Sequence, residues 1–183
     1  MPSSRYDIIP FVLDRVVEMK PKSILDIGIG YGKWGVLFRE YLDIWDVNEP
    51  FDKRGVNIIG VEAFEDYKNS IWDVYDEVLI GDIKEHLSLL RSKPMFDLLF
   101  MGDIIEHFNK ETGKRLLKEL VYDKAIIVTP KLVSPQKVVY NNEYETHYSS
   151  WELKDFDYPD VKQYTLNNIQ VFTYDNCLVN DTA

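Results

Sequence analysis

Five short apolar runs, Ser23–Ile27, Asn57–Val61, Glu77–Ile80, Phe96–Met101 and Ala125–Thr129, punctuate this 183-residue chain, and each is followed by a helical or loop segment. Runs so short, apolar on both faces, read as strands covered on two sides. Trp34, Leu37, Phe38 and Tyr41 form one helical stripe between them, and Leu116, Leu117, Leu120 and Val121 another; such spacing gives a helix one buried face. Strands alternating with helices imply a parallel sheet, and right-handed crossovers restrict its winding. The alternation stops near the end, where Val161–Thr165 and Ile169–Tyr174 are joined only by Leu166-Asn167-Asn168. A connection that short cannot carry a parallel crossover, so this pair must be an antiparallel hairpin. Ahead of the first run, Ile9, Val12, Val16 and Met19 predict an N-terminal helix within residues 1–22, with Pro10 in its first turn and Pro21 ending it. Asn109 is placed to cap the helix before the fifth run, with Glu111 in its first turn.

The first strand leads into a turn of special composition. Asp26 is followed by Gly28, Gly30 and Gly32, a D-x-G-x-G-x-G pattern that opens directly onto a helix. A dinucleotide fingerprint would need its third glycine where this chain has Lys33. In doubly wound sheets ligands bind beyond the carboxyl ends of the strands, and the second strand ends there in an acid, Glu62. A carboxylate in that place can accept two charge-assisted hydrogen bonds from a ribose diol. After the fourth run comes Asp103-Ile104-Ile105-Glu106-His107, a D-x-x-E-H segment, and Gly32–Leu42 reads G-K-W-G-V-L-F-R-E-Y-L.

These motifs and the terminal hairpin resemble those of the class I S-adenosylmethionine (SAM)-dependent methyltransferases, and in particular the small bacterial and archaeal enzymes with a D-x-x-E-H segment. The resemblance implies a single α/β domain over residues 1–183. Its fold would be a Rossmann-like doubly wound sheet of seven strands, order 3-2-1-4-5-7-6, the last strand antiparallel and helices on both faces. It implies SAM as cofactor, held by Asp26, Gly28, Gly30, Gly32, Glu62, Asp82 and Ile83, with Asp82 at the adenine amino group and the Ile83 N–H at a ring nitrogen. An acid ending a strand is also the pattern of a helix N-cap, and for Asp82 both readings stand.

Farther on, His147 and Trp151 form an H-x-x-x-W segment like that of relatives carrying D/E-x-x-E-H, and the fold would bring His107 and His147 to one rim. Either imidazole can take a proton near neutral pH; Asp103 would orient the acceptor or steady developing charge. His86 reads as a surface residue. No metal is assigned. In the small-RNA terminal 2′-O-methyltransferases, however, an E-x-x-E-H segment binds a divalent ion. The matching set here would be Asp103, Glu106, His107 and His147, with Asp103 one methylene short of the glutamate. Residues 130–147, polar and carrying Pro130 and Pro135, read as a lid in which acceptor identity is written; Asp43–Val56 reads as a surface loop.

Charge narrows the acceptor. With 21 Lys and Arg against 31 Asp and Glu, the net charge is −10, which repels phosphate backbones and anionic membranes. Lys110, Lys114, Arg115 and Lys118 then read as a solvated helix face, not a nucleic-acid patch. No apolar run approaches the ~20 residues of a membrane span, the first residues do not read as a signal peptide, and Cys177 is the only cysteine. The expectation is a cytoplasmic SAM-dependent methyltransferase acting on an oxygen or nitrogen of a small-molecule or sugar-like acceptor. Its rivals are a SAM-binding sensor or partner subunit without catalysis, and a metal-assisted RNA 2′-O-methyltransferase.

Overall fold

The computed structural model describes residues 4–44, 54–132, 136–139 and 141–176. Seven strands, β1 (Ser23–Ile27), β2 (Asn57–Glu62), β3 (Glu77–Ile80), β4 (Phe96–Gly102), β5 (Tyr122–Pro130), β6 (Lys162–Leu166) and β7 (Ile169–Asp175), form one sheet in the order β3-β2-β1-β4-β5-β7-β6. The first five are parallel; β7 lies antiparallel to both β5 and β6. The parallel strands and the antiparallel terminal pair are those expected from the alternation and the short connection, and the strand order is the one the resemblance implies.

Alternate residues of the strands feed two cores. Leu25, Val61, Leu99 and Ile127 meet Ile83 and Leu90 of α3 (Ile83–Ser92) and Leu116 and Leu117 of α4 (Lys110–Glu119). Ile24, Ile58, Leu98 and Ile126 meet Val12 and Val16 of α1 (Ile9–Met19) and Trp34 and Phe38 of α2 (Lys33–Arg39). Both faces of each central strand are therefore dry, which is why their sequences are apolar without alternation. Asn109 caps α4 as expected, its side chain accepting from Thr112 N–H at 2.9 Å.

Several local expectations change. β5 starts three residues before its apolar run, since Tyr122 is fully buried while Asp123 and Lys124 pair with each other at 2.6 Å. In the Asp43–Val56 segment the two terminal residues are buried: Asp43 accepts from the N–H groups of Gly55 and Val56 (both 3.0 Å) and bridges Arg39; residues 45–53 of the expected surface loop lie outside the described residues, as does Cys177. His86 is half-buried, with Nε2 3.1 Å from the Ile80 carbonyl oxygen. On α4, Lys110 and Lys118 meet Asp155 (2.7 Å) and Asp157 (3.5 Å), so part of that basic face is neutralised by the chain itself. Among the described residues no helix is long and apolar enough to cross a membrane.

One packing contact sets the geometry of the site. Trp151 is buried against α4 at Gly113, where an added Cβ would lie 2.5 Å from the indole Cζ2. The indole N–H donates to the Ile105 carbonyl (3.1 Å) and to Ser149 Oγ (2.8 Å); Ser149 Oγ donates to the Phe108 carbonyl (2.7 Å), and the N–H groups of Tyr148 and Ser149 both donate to the Glu106 carbonyl. Residues 148–151 are thus clasped to the connection after β4. Gly113→Ala gains at most ~1 kcal/mol of helix propensity, against ~1–3 kcal/mol for overpacking a filled core. Urea unfolding should show a net destabilisation of up to about 2 kcal/mol, and a gain in stability would mean that Trp151 has room to give.

Candidate functional site

The turn after β1 is held from below and from the side. Gly28 and Ile29 N–H groups lean on the Val61 carbonyl (2.8 and 3.3 Å), and the Trp72 indole N–H donates to the Gly30 carbonyl at 2.8 Å. Gly28 has φ +75° and faces the Ile104 side chain, which fills the space a Cβ would take. A larger residue fails there on both counts. Glu62, at the end of β2, accepts the Gly30 N–H on Oε2 (2.8 Å) and the Phe64 N–H on Oε1 (2.9 Å). Burial pushes its carboxyl up, and these two donors pull the other way.

Above this turn, at the carboxyl ends of the parallel strands, lies a cavity of about 310 Å³ lined by Gly28, Gly30, Glu62, Asp82, Ile83 and Asp103, among others. Asp82 has the helix-capping character expected of it. It caps α3 by accepting the Lys84 N–H (3.0 Å) and pairs with Lys84 Nζ (2.9 Å), and it stands on the cavity wall. Gly32 does not line the cavity; at φ +90° it caps α2.

Asp26 corrects the expectation. It is 1% exposed and lies beneath the turn, away from the cavity lining. Tyr75 OH donates to its Oδ2 at 2.7 Å and accepts the Gly35 N–H at 3.0 Å, so Asp26 braces the start of α2 through Tyr75. Its Oδ1 has no partner among the described residues. Burial raises its pKa to about 7, with Glu62 adding repulsion and the Tyr75 bond opposing both.

After β4, Asp103 adopts φ +57°, a left-handed backbone that Asp tolerates better than most residues. This turns its carboxyl toward the Ser4 hydroxyl and Lys33, and burial raises its pKa. Lys33 Nζ donates to the Ser4 carbonyl and Trp34 Nε1 to Ser4 Oγ (3.1 Å). Glu106, 1% exposed, accepts from Thr129 Oγ1 on Oε2 (3.0 Å) and has no partner on Oε1 among the described residues; burial holds its carboxyl well above the usual range. His107 and His147 meet edge-to-face with ring centroids 4.8 Å apart. His107 Nδ1 lies 3.1 Å from the Thr146 carbonyl. A carbonyl only accepts, so Nδ1 carries the proton and the Nε2 lone pair is left as base or ligand. Burial lowers the His107 pKa below 6.5, keeping the ring neutral at pH 7.

Of the four-residue metal set, Glu106, His107 and His147 converge, with one ligand atom from each all within 4.8 Å of one another; Asp103 stands apart. Of the catalytic trio, Asp103 and His107 line the cavity, while His147 lines a neighbouring one. Sequence reading missed the bonds that close the cavity. Tyr67 OH donates to Glu145 Oε1 (2.9 Å), and Asn142 Nδ2 donates to Tyr67 OH (3.2 Å). Burial and the neighbouring Glu145 push the Tyr67 pKa up to about 12, so the phenol remains a donor. These partners are more than 70 residues apart in sequence, at separations of 78 and 75, and no motif links them.

No protein-family model and no curated protein matches the chain. Solved structures do. A SAM-dependent methyltransferase from Archaeoglobus fulgidus superposes with TM-score 0.60 at 17% identity, over 93% of this chain and 94% of that one. An O-methyltransferase from Bacillus cereus in complex with S-adenosylhomocysteine (SAH) gives 0.59 at 17%, over 93% and 81%. A structure described as a putative O-methyltransferase from Nostoc punctiforme gives 0.61 at 14%, over 93% of this chain but 56% of that one. The fold is that of the class I methyltransferases.

Asp26 offers a test in solution. Below its unfolded pKa of 3.8 both states hold the proton; between 3.8 and about 7 only the folded state does, so stability falls as pH rises through that window and levels above it. From pH 5 to pH 8 this group alone removes about 2–3 kcal/mol. Asp26→Asn, which keeps an acceptor for Tyr75, should shrink the pH 5 to pH 8 difference in urea stability by that amount; an unchanged difference would place the titration elsewhere.

Proposed function

We propose that this chain is a SAM-dependent methyltransferase that methylates an oxygen of a small-molecule acceptor. The observation that carries the reading is a single cavity lined both by the glycine turn and Glu62 and by Asp103 and His107. SAM, when bound, supplies an electrophilic methyl carbon on a sulfonium leaving group. The residues fit it. Glu62 spends one lone pair of each oxygen on backbone donors and keeps the others for a ribose diol. Asp82 and Ile83 line the same cavity, and the resemblance assigns them to the adenine. Gly28, Gly30 and Ile83 leave that wall largely backbone and apolar.

The remaining work is alignment and proton transfer. Placing acceptor oxygen, carbon and sulfur in line is worth up to ~7–11 kcal/mol. His107 Nε2 takes the acceptor's proton, a contribution of roughly 10²–10⁴-fold, and Asp103 orients the hydroxyl. Asn142–Glu145 and Tyr148 line the same cavity, so the expected lid covers the cofactor as well as the acceptor; residues 133–135 and 140 of it lie outside the described residues. Two variants separate binding from chemistry. Glu62→Gln should weaken SAH about 10- to 100-fold by calorimetry, the cost of a charge-assisted hydrogen bond. His107→Ala should keep SAH affinity while turnover, measured with labelled SAM across an acceptor panel, falls ~10²-fold or more. Tight SAH binding with no transfer to any acceptor would favour a non-catalytic SAM-binding protein.

The convergence of Glu106, His107 and His147, with Glu106 Oε1 buried and unpartnered, favours a second reading in which a divalent cation assists. One carboxylate and two imidazoles suit Mn²⁺ or Zn²⁺ better than Mg²⁺. Under this reading calorimetry detects Mn²⁺ binding that Glu106→Gln abolishes, and chelation lowers turnover; turnover indifferent to chelators returns His107 to the role of base.

A further inference from the structure

The carbonyl that orients His107 belongs to Thr146, and the chain is tied down on both sides of that residue. After it, the N–H groups of Tyr148 and Ser149 donate to the Glu106 carbonyl (2.8 and 3.1 Å). Before it, the fixing group is Tyr67, which comes from the connection after β2. Tyr67 is buried, and its ring packs against Phe64 (centroids 4.9 Å apart) and against Tyr31 of the glycine turn (5.2 Å). The ring is thus set by the turn that faces the proposed cofactor, while its hydroxyl reaches residues 142–145.

The hydrogen bonds of that hydroxyl run in one direction. Asn142 accepts the Tyr144 N–H on Oδ1 (3.0 Å), which leaves its Nδ2 to donate to Tyr67 OH (3.2 Å). Tyr67 in turn sends its proton to Glu145 Oε1 (2.9 Å), and a carboxylate accepts it. Tyr67, Asn142 and Glu145 are all buried, where such a chain is strong and expensive to break. Gln136 passes the constraint on. Its Nε2 donates to the Glu145 carbonyl (2.7 Å), and its own carbonyl accepts the His147 N–H (3.1 Å). Thr146 is the residue between those two, so its peptide is set from either side, with its carbonyl oxygen 3.1 Å from His107 Nδ1.

We infer that Tyr67 is a positioning residue for the proposed base: by holding Glu145 it fixes the Thr146 carbonyl, which keeps the His107 proton on Nδ1 and leaves the Nε2 lone pair to act. The inference rests on the methyltransferase reading in calling His107 a base. A neutral imidazole exchanges between two tautomers unless one nitrogen is given a partner. With Nδ1 unheld, part of the population carries its proton on Nε2 and has no lone pair there for the acceptor. The wall that meets the cofactor and the nitrogen that takes the proton therefore share one support.

Tyr67→Phe keeps the ring between Phe64 and Tyr31 and removes the hydroxyl alone. Long-range proton–nitrogen NMR on SAH-loaded protein, at a pH where the imidazoles are neutral, reads the tautomer of each of the three histidines. His107 is assigned by the ring missing from His107→Ala. The parent should show His107 protonated on Nδ1, and Tyr67→Phe a mixture of tautomers. With SAM and the acceptor found by the panel both saturating, kcat should fall about tenfold, the loss of one hydrogen bond to a charged group. Glu145→Leu, which removes the oxygen that Tyr67 donates to, should do the same, and Glu145→Gln, which retains one, should do less. A parent His107 protonated on Nε2, a tautomer unchanged in Tyr67→Phe, or a KM for SAM that rises while kcat holds, overturns the inference alone, because Tyr67 is then cavity wall and nothing more. Protein that takes up no SAH overturns the methyltransferase reading, and with it the base that Tyr67 serves.

Discussion

The site depends on the carboxylate of Glu62. It reaches from the end of β2 to the Gly30 N–H of the neighbouring turn and to the Phe64 N–H of its own connection. A glycine turn has little reason of its own to hold one shape, because each glycine loses more conformational entropy than any other residue would. An acid accepting two backbone donors supplies that shape while its charge is stabilised by them. Trp72 holds the same turn by the Gly30 carbonyl, and Asp26 with Tyr75 braces the helix that follows. The motif D-x-G-x-G-x-G therefore reads in this chain as scaffold at its first residue and as cavity wall at Gly28 and Gly30.

The chemical end is built differently, from long-range contacts. The Glu106 carbonyl gathers Tyr148 and Ser149, and Trp151 is seated on the small residue Gly113. His147 is thereby brought to His107 across 40 residues of chain without any bond between the two rings being required. The arrangement explains why a histidine four residues before a tryptophan is useful after β5: the tryptophan is the anchor, and the histidine is what the anchor delivers.

Much of the fold was legible because it depends on local periodicity. Apolar runs gave the central strands to within a residue, and the short Leu166-Asn167-Asn168 connection required the hairpin. β5 was cut short since Asp123 and Lys124 solve their solvation by pairing with each other, which hides a strand from hydrophobicity. In the site, Gly28, Glu62, Asp82 and His107 fell where chain order put them, at strand ends facing one crevice. Asp26 did not, because whether an acid at the end of a strand faces the ligand or a buried tyrosine is set by Tyr75, 49 residues away. Likewise D-x-x-E-H reads as one unit, yet the left-handed backbone at Asp103 sends its carboxyl toward Ser4 and Lys33 while Glu106 and His107 face Thr129 and Thr146.

Electrostatics gives these placements a common logic. The lining of the first cavity carries Glu62, Asp82, Asp103, Glu143 and Glu145 against Lys33 and Lys84. Burial already lifts the pKa values of Glu62 and Asp103, so the wall holds negative charge at a cost that a cationic ligand would offset. A sulfonium brings that charge, and methyl transfer removes it, since the product thioether is neutral. Under the proposed function, a wall of this charge would meet the sulfonium form of the cofactor more favourably than the neutral thioether it becomes.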